Sequence, residues 1–285
     1  MKSFKRIVLM IGGFAVITGI VLIVLAISTQ NTYFDANTFN YDFNESYQEV
    51  KSIELDVTYG NVTIEEGDSF HIEAHNMVEK SFSSTLTDGI WKIADDSELS
   101  NTLTGEIGLF DINIPVNTWF LWDNDKLPNI VVTIPPGFNA DHISIKLEAG
   151  SIEAESLLAQ EAEVEVGAGV FRIDNLTVSG KSFFSVGAGE LIIDNIDVRN
   201  TTMDNGVGII QASGKITGNS RIESDLGGIN LKLAGNKDDY KYDIDCNLGS
   251  VKIDGRIRNS VMNQDADNSF ILKCNAGNIT VDFTK

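Results

Sequence analysis

The sequence has few cysteines and few basic residues, and both shortages limit what the protein can be. Its 285 residues include only two cysteines, which excludes a disulfide-dense scaffold and a four-cysteine zinc site. Lysine and arginine together number 21 against 41 aspartates and glutamates, so the formal net charge is −20. A surface of this sign repels phosphate groups, and we expect neither nucleic acid nor an anionic lipid surface as a partner. A metal cation or a basic partner is compatible with the charge.

The longest uncharged stretch lies near the N-terminus. Residues 7–27 carry no charge, and a helix of this length crosses a hydrocarbon core of about 30 Å. Three basic residues precede the stretch, whereas the first charges after it are acidic. The positive-inside rule therefore predicts a cytoplasmic segment at 1–6, a single transmembrane signal anchor at 7–28 and an extracytoplasmic remainder in the cell envelope. A cleaved signal peptide is the alternative, although this apolar run exceeds the usual length of about 7–15 residues.

The segment after the anchor differs from the rest of the chain. Residues 29–50 are rich in asparagine, aspartate and serine, and their aromatic residues follow no period. We interpret them as a short stalk that connects the anchor with an extracytoplasmic domain at 51–285.

One sequence frame recurs through that domain. Glu165–Asn175 reads EVGAGVFRIDN, and about one coil later Ser185–Asn195 reads SVGAGELIIDN. The second glycine of each GAG triplet defines the frame, and related positions occur elsewhere. We call these residues the frame glycines: Gly60, Gly150, Gly169, Gly189, Gly208, Gly227, Gly249 and Gly277.

Apolar residues occupy the same positions relative to every frame glycine. These positions are five residues before it, one residue before it, and two and four residues after it. Alternation of apolar and polar residues on both sides of a glycine predicts two short strands that meet at a bend. Glycine suits a bend because it adopts backbone angles that other residues avoid. We expect all of these positions to be stacked and buried.

A third apolar pair in the best-defined repeats completes one coil of a solenoid in about 20 residues. The chain is therefore predicted to be all-β, a right-handed parallel β-helix preceded by one N-terminal transmembrane helix. A β-sandwich is the alternative, because sandwiches also space their turns regularly. A sandwich does not require the same frame in successive repeats at matched apolar positions, and we therefore favour the solenoid.

The run VVTIPPG at Val131–Gly137, followed by the GAG-type repeats, resembles a bacterial domain of unknown function with β-strand repeats, described as a putative adhesin. The resemblance covers about residues 50–285, and the anchor is similar to that of Gram-positive envelope proteins with this domain. It implies an extracytoplasmic β-helical module with no established catalytic residues. The sequence departs from the pattern at about residues 110–128, where an aromatic-rich insertion interrupts the frame.

We therefore expect a non-enzymatic, membrane-anchored cell-envelope protein without a cofactor, whose ectodomain is an adhesin-like interaction or structural module. Its partner would be an unidentified protein or a cell-wall polymer. An envelope-stress accessory that modulates another membrane protein is one alternative, and a carbohydrate-active β-helix enzyme is the other. The enzyme would require converging carboxylates in a polar cleft, whereas a smooth acidic surface would favour the interaction module.

The insertion contains the candidate partner-binding residues, which are Trp119, Phe120, Leu121 and Trp122. Three interpretations are open for them. They could cover an apolar end of the solenoid, project as a loop that anchors a partner, or contact the outer membrane leaflet. Neighbouring aspartates argue against contact with an anionic membrane.

Cys246 and Cys274 each lie three residues before a frame glycine, which predicts that they are neighbours in one inward column. A separation of about 5 Å permits a disulfide, although parallel side chains are not its best geometry. Two buried free thiols that act as small apolar side chains are the simpler expectation.

Two sets of side chains could bind cations. His71, Glu73 and His75 share one face of a predicted strand and could bind zinc, although exposed polar alternation gives the same pattern. Asp174 and Asp194 are predicted to stack at one corner of successive coils, where carboxylates could collect Ca²⁺ weakly. Aspartate and asparagine are also expected at such a turn for backbone reasons.

Overall fold

The computed structural model describes residues 41–95, 127–258, 263 and 265–284. The chain divides into two compact units, one formed by Phe39–Ser97 and Pro128–Lys285 and the other by Met1–Thr38 and Glu98–Leu127. The described residues belong almost wholly to the first unit. The predicted cytoplasmic segment, the membrane anchor and most of the aromatic insertion lie outside them. Within the described ranges, no helix is long and apolar enough to cross a membrane.

The described residues form strands almost throughout, which confirms the all-β prediction for this part of the chain. A short 3-10 turn, Lys237–Asp239, precedes β11. The strands in chain order are β1 (Tyr41–Tyr47), β2 (Ser52–Glu66), β3 (Phe70–Met77), β4 (Phe82–Thr87), β5 (Ile90–Asp95), β6 (Asn129–Ile134), β7 (Asn139–Val178), β8 (Ser182–Arg199), β9 (Thr201–Thr217), β10 (Asn219–Ala234), β11 (Tyr240–Ile253), β12 (Arg256–Arg258) and β13 (Asn268–Thr284).

Most of these strands stack in parallel with the frame glycines in register. Gly60 on β2 pairs with Gly150 on β7. Gly189 on β8 pairs with Gly169 of β7 on one side and Gly208 of β9 on the other. Because β7 runs through two coils, it contributes two of these frame glycines. Equivalent positions of the frame therefore lie side by side, and the fold is a solenoid-like stack of coils.

Three of the four predicted apolar positions face the interior. The residues five before, two after and four after every frame glycine are all buried. Ile193, for example, is in register with Ile173 on one side and with Ala212 on the other. Period-two alternation along each strand accounts for this burial, because successive side chains point to opposite faces.

The fourth position, one residue before the frame glycine, was expected to be buried and is instead exposed in most coils. Ala168, Ala188, Val207, Leu226 and Leu248 all face solvent. Six of the frame glycines have φ angles between 132° and 145°. At such a bend the chain leaves the extended conformation, so strict alternation ends there and the preceding side chain can point outward. Tyr59, which precedes Gly60, is buried.

Close backbone approach also requires glycine at the frame position. A Cβ built on Gly189 would overlap the carbonyl oxygen of Gly169, and one on Gly208 would overlap that of Gly189. The other frame glycines are in the same situation: at Gly60 the overlap is with the Pro128 carbonyl oxygen, and at Gly150, Gly169, Gly227, Gly249 and Gly277 with that of a frame glycine. The column is a line of stacked backbones without space for side chains.

The last coils do not stack in the order in which they occur in the chain. β13 lies between β10 and β11 and pairs in parallel with both. Gly227 is therefore beside Gly277, and Gly249 lies on the far side of Gly277. The repeat frame cannot predict this order, because every coil offers the same columns to its neighbour.

The two cysteines are joined across β11 and β13. Cys246 and Cys274 are register partners with Cα atoms 4.6 Å apart, and they form a disulfide. The expectation of two free thiols is therefore wrong, whereas the predicted stacking of the two residues is present. Register partners on neighbouring strands satisfy the Cα separation that a disulfide requires.

The first coil of the stack is assembled from two separate strands. β5 pairs with β2 at Ser52–Val57, and β6 pairs with β2 at Asn61–Glu66. β5 ends at Asp95, and the next described residues begin at 127. Beside the bend, the carbonyl oxygen of Pro128 accepts a hydrogen bond from Asn61 N–H at 2.9 Å. The frame of this coil is therefore interrupted at the frame-glycine corner.

Antiparallel strands flank this first coil. β4 pairs with β5, β3 with β6, and β1 with β3. Because β1 begins at Tyr41, the second half of the segment predicted as a stalk belongs to the sheet. The fully buried Trp91 packs here against Tyr47 and Phe70, with ring centroids 5.1 and 6.3 Å apart. In the part of the chain that is described, these strands cover the apolar end that a solenoid must protect.

Replacing Ile193 by Asp tests the stacked interior. The new carboxylate would be buried between apolar neighbours without a partner, so we expect the free energy of unfolding to fall by about 3–5 kcal/mol. Ile192 lies on the outward face of the same strand, and Ile192→Asp should cost only about 1 kcal/mol. Urea denaturation followed by circular dichroism measures both changes. Equal losses would contradict the register.

Replacing Gly189 by Ala tests the close approach at the bend. Gly255 is a matched control, because its φ is also positive at 70° and a Cβ there meets no atom within 4 Å. Gly255→Ala should therefore cost only the conformational penalty, about 1 kcal/mol. We expect Gly189→Ala to destabilise by at least about 3 kcal/mol, since neighbouring strands must also move apart. Similar melting temperatures for the two variants would show that φ alone explains the column.

Candidate functional site

The exposed residues before the frame glycines form a continuous apolar line along one edge of the stack. Val207, Leu226 and Leu248 expose 50%, 50% and 53% of their surface. Val207 is in register with Leu226, and Ala276 lies in register between Leu226 and Leu248. We call this line the glycine-corner ridge, and its residues are the exposed Ala168, Ala188, Val207, Leu226 and Leu248 and the half-buried Ala276.

Large exposed apolar side chains are scarce on the rest of the described surface. Ile90 and Ile257 are the other large apolar residues with comparable exposure in the described ranges, and neither belongs to the ridge. A single exposed apolar residue needs no explanation, whereas several in one column form a contiguous patch. Contiguous apolar patches with polar rims are typical of contact surfaces.

Beside part of the ridge, the surface is formed by glycines, which carry no side chains. Gly167, Gly187 and Gly206 immediately precede ridge residues in three successive coils. A Cβ on Gly187 or Gly206 would lie 2.6 Å from the carbonyl oxygen of the glycine in the previous coil. These positions therefore stay free of side chains, and the neighbouring ridge residues are accessible from this side.

The charged residues closest in sequence to the frame glycines are mostly acidic, and we call them the acidic border. The positions four before, two before and one after the frame glycines hold eight carboxylates and two ammonium groups. The carboxylates are Asp56, Glu148, Glu165, Glu190, Asp204, Glu223, Asp225 and Asp245, and the ammonium groups are Lys146 and Lys273.

The border is most crowded beside Val207 and Leu226. Asp204 and Glu223 are register partners there. Glu223 is paired with Arg221 at 2.7 Å and with Lys273 at 3.3 Å. Burial raises the pKa of the Asp204 carboxyl, and the negative charge of Glu223 raises it further.

The Asp204 carboxylate has less compensating positive charge beside it than the carboxylate of Glu223. Its Oδ1 atom is buried and accepts no hydrogen bond from any described residue. A basic group supplied by a partner would stabilise the charged form of this carboxyl. The border therefore complements a cation beside the apolar line.

The histidines considered as zinc ligands have partners within the sheet. His71 Nδ1 lies 2.9 Å from Ser46 Oγ, and its Nε2 lies 3.3 Å from Glu73 Oε1. His75 Nδ1 lies 3.2 Å from Asp42 Oδ1. No three His, Cys, Asp or Glu side chains of the described residues are grouped as a metal site. The contacts with Ser46 and Asp42 join β3 to β1, whereas the contact between His71 and Glu73 lies within β3.

Ser46, His71 and Glu73 form a hydrogen-bonded series in the order of a hydrolase triad. Acyl transfer also needs donors that stabilise an oxyanion. Ser46 lies on β1 and His71 on β3, and these two strands pair in register at the two residues. We therefore assign the series to cross-strand pairing.

The carboxylates considered for Ca²⁺ lie at one corner of the stack. Asp174 and Asp194 are exposed in adjacent coils of β7 and β8. Asn195 Nδ2 donates hydrogen bonds of 3.2 Å to the Asp174 carbonyl oxygen and to Asn175 Oδ1. This asparagine ladder gives the corner a backbone role, and weak Ca²⁺ binding stays a prediction.

The residues predicted from the sequence to bind a partner are not those of the ridge. Trp119, Phe120, Leu121 and Trp122 lie outside the described residues, and their role stays a prediction. The ridge was missed because strict alternation places the residue before each frame glycine inside. The glycine itself is the signal that could have revealed it, since a bend at that residue changes the direction of the preceding side chain.

Residues 50–253 match the family model described as Toastrack DUF4097. No curated protein matches the sequence. A solved putative adhesin from Bacteroides fragilis is 12% identical with a TM-score of 0.39, over 86% of this chain and 96% of that chain. A solved putative cell adhesion protein from Clostridium sporogenes is 14% identical with a TM-score of 0.33, over 86% of this chain and 99% of that chain. Because the family match extends over more than half of the chain, the chain belongs to the Toastrack DUF4097 family, whose domain has no known function.

Proposed function

We propose that the protein is a non-enzymatic, membrane-anchored cell-envelope protein whose solenoid-like domain is an adhesin-like interaction module. The observation that carries the proposal is the glycine-corner ridge, which combines exposed apolar side chains with an acidic border. Adhesin-like binding is also what the resemblance to the repeat family implies.

The proposal includes a cytoplasmic segment at 1–6, a membrane span at 7–28 and a right-handed β-helix outside the membrane. The uncharged stretch and the basic residues before it support the anchor. The Cys246–Cys274 disulfide supports the location, because disulfides persist in oxidising compartments and are rare in the cytosol. Right-handed winding is the hand that parallel crossovers almost always adopt.

The ridge is suited to binding because its backbone is held in place before a partner arrives. Val207 and Leu226 lie on strands that pair on both sides. Little conformational entropy is therefore lost on this side of an interface. Burial of the apolar line would stabilise a complex by about 25 cal/mol for each Å² of apolar area removed from water.

The acidic border selects the class of partner. It would repel an anionic cell-wall polymer and attract a basic group beside Asp204 or Asp225. The partner that we propose is a basic polypeptide segment with apolar side chains. A second copy fits less well through this surface, because both copies carry the same acidic border.

A carbohydrate-active enzyme would place paired carboxylates in a polar cleft. Within the described ranges, the border carboxylates Glu148 and Asp225 lie exposed along an open edge. This placement favours an interaction surface over a catalytic site, and we propose no reaction.

The double substitution Leu226→Ser and Leu248→Ser tests the ridge. The probe is a short synthetic peptide of alternating leucine and lysine, and isothermal titration calorimetry measures its affinity for the full chain. We expect the double variant to bind at least about tenfold more weakly, because two apolar contacts are lost while the net charge is unchanged. Ile257→Ser removes an apolar side chain outside the ridge and should leave the affinity unaltered.

Equal affinities for the double variant and the parent would mean that net charge alone holds the peptide, and the ridge would not be the binding surface. A second peptide, of alternating leucine and glutamate, tests the border. The border repels it, so we expect no binding. Binding of the two peptides with similar affinity would contradict selection by charge.

A further inference from the structure

The hairpin formed by β11 and β12 is basic, although the chain as a whole carries a net charge of −20. Residues 252–258 contain three basic side chains and one acidic side chain, Asp254. The Asp254 carboxylate is already engaged inside the molecule. Its Oδ1 accepts a hydrogen bond of 2.9 Å from Phe283 N–H, and its Oδ2 lies 3.9 Å from Lys237 Nζ. The hairpin is therefore locally positive.

The three basic side chains of the hairpin have no acidic partner of their own. Within the residues that the structure describes, Lys252, Arg256 and Arg258 form no ion pair. Lys252 and Arg256 are exposed, and Arg258 is half-buried. Their positive charges are therefore free to pair with carboxylates of another molecule.

An exposed apolar side chain accompanies these charges. Ile257 exposes 65% of its surface, more than any ridge residue whose exposure is given above. It is the register partner of Lys252, and partners in an antiparallel pair lie on the same face of the sheet. Arg256 and Arg258 precede and follow Ile257 in the chain. We call Lys252, Arg256, Ile257 and Arg258 the hairpin surface.

The hairpin surface has the chemistry that the ridge and its acidic border would select. It is a basic segment with an apolar side chain, whereas the ridge presents Leu226 and Leu248 beside the exposed carboxylates of Asp225 and Asp245. Pairing of β12 with Val251–Ile253 holds the hairpin at its place on β11, so it does not cover the ridge of its own chain. Each molecule therefore carries two complementary surfaces.

Both surfaces belong to the last coil of the stack, which permits a two-fold arrangement. On β11, Leu248 precedes Lys252 by four residues, which corresponds to about 13 Å of extended chain. A two-fold axis between them would bring the hairpin surface of each copy to the ridge of the other, so the same contact is made twice. Once the first contact has formed, the second is intramolecular and increases the affinity.

Building on the proposed function of the ridge, we propose that its partner is the hairpin surface of a second copy, which gives a two-fold dimer. Contact between two ridges is opposed by their acidic borders, whereas contact between ridge and hairpin brings opposite charges together. Repulsion between the remaining charges of the two copies is screened beyond about 8 Å at physiological ionic strength. Ile257 enters the apolar line, and the two arginines face the border carboxylates.

Charge-reversed variants of the full chain in detergent test the pairing. Arg256→Glu with Arg258→Glu reverses the hairpin surface, and Asp225→Lys with Asp245→Lys reverses the border. Sedimentation velocity should show a concentration-dependent dimer for the parent. Each variant alone should dimerise at least about tenfold more weakly, because like charges then face each other. An equimolar mixture of the two variants should recover the dimer, since every hairpin then faces a border of opposite charge.

Lys215→Glu with Lys232→Glu is the matched control. It changes the net charge by the same amount as the hairpin variant, and both exposed lysines lie outside the ridge, the border and the hairpin. We expect this control to dimerise like the parent. A parent that stays monomeric at every concentration would overturn the dimer. A mixture of the two reversed variants that dimerises no better than either variant alone would overturn it as well.

Ile257→Ser distinguishes failure of the dimer from failure of the proposed function. We expect this variant to dimerise at least about tenfold more weakly, because an apolar side chain is lost from both contacts, while its affinity for the leucine–lysine peptide is unchanged. An unchanged dimer would overturn the pairing and leave the peptide result standing. The hairpin-reversed variant keeps a free ridge, so failure of the peptide to bind to it would instead refute the proposed function, and the dimer with it.

Discussion

The stack depends on the contact between backbones at the frame-glycine corner. Each frame glycine from Gly150 onward lies so close to the carbonyl oxygen of a neighbouring frame glycine that no Cβ could be accommodated between them. This contact holds all coils in one register, and a common register aligns the buried columns. In most coils the same bend turns the preceding residue outward. The constraint that orders the core therefore also exposes the ridge that we propose as a contact surface.

The register of the coils could be predicted because glycine spacing and apolar alternation both specify it. Ile173 and Ile193 lie beside each other as their shared frame requires. The order of the last coils could not be predicted, since Gly227 fits beside Gly249 as well as beside Gly277. β1, β3 and β4 could not be placed either, because antiparallel strands outside the repeat carry no frame glycine.

The candidate sites were less predictable than the fold. Alternation places Val207 and Leu226 inside, whereas the bend places them on the surface. The frame made Cys246 and Cys274 neighbours, but spacing carries no information on whether two neighbouring thiols become a disulfide. The charges that border the ridge belong to different coils, so their proximity emerges only when the coils are stacked.

One register extends through the stack, with β13 between β10 and β11. Spin labels at positions 223 and 273, compared with labels at 223 and 245, test it in protein whose two native cysteines are replaced by serine. We expect strong dipolar broadening for the first pair, at about one strand spacing of 4.8 Å, and weaker broadening for the second pair at about twice that distance. Stronger broadening for labels at 223 and 245 would place β11 next to β10 and contradict the account.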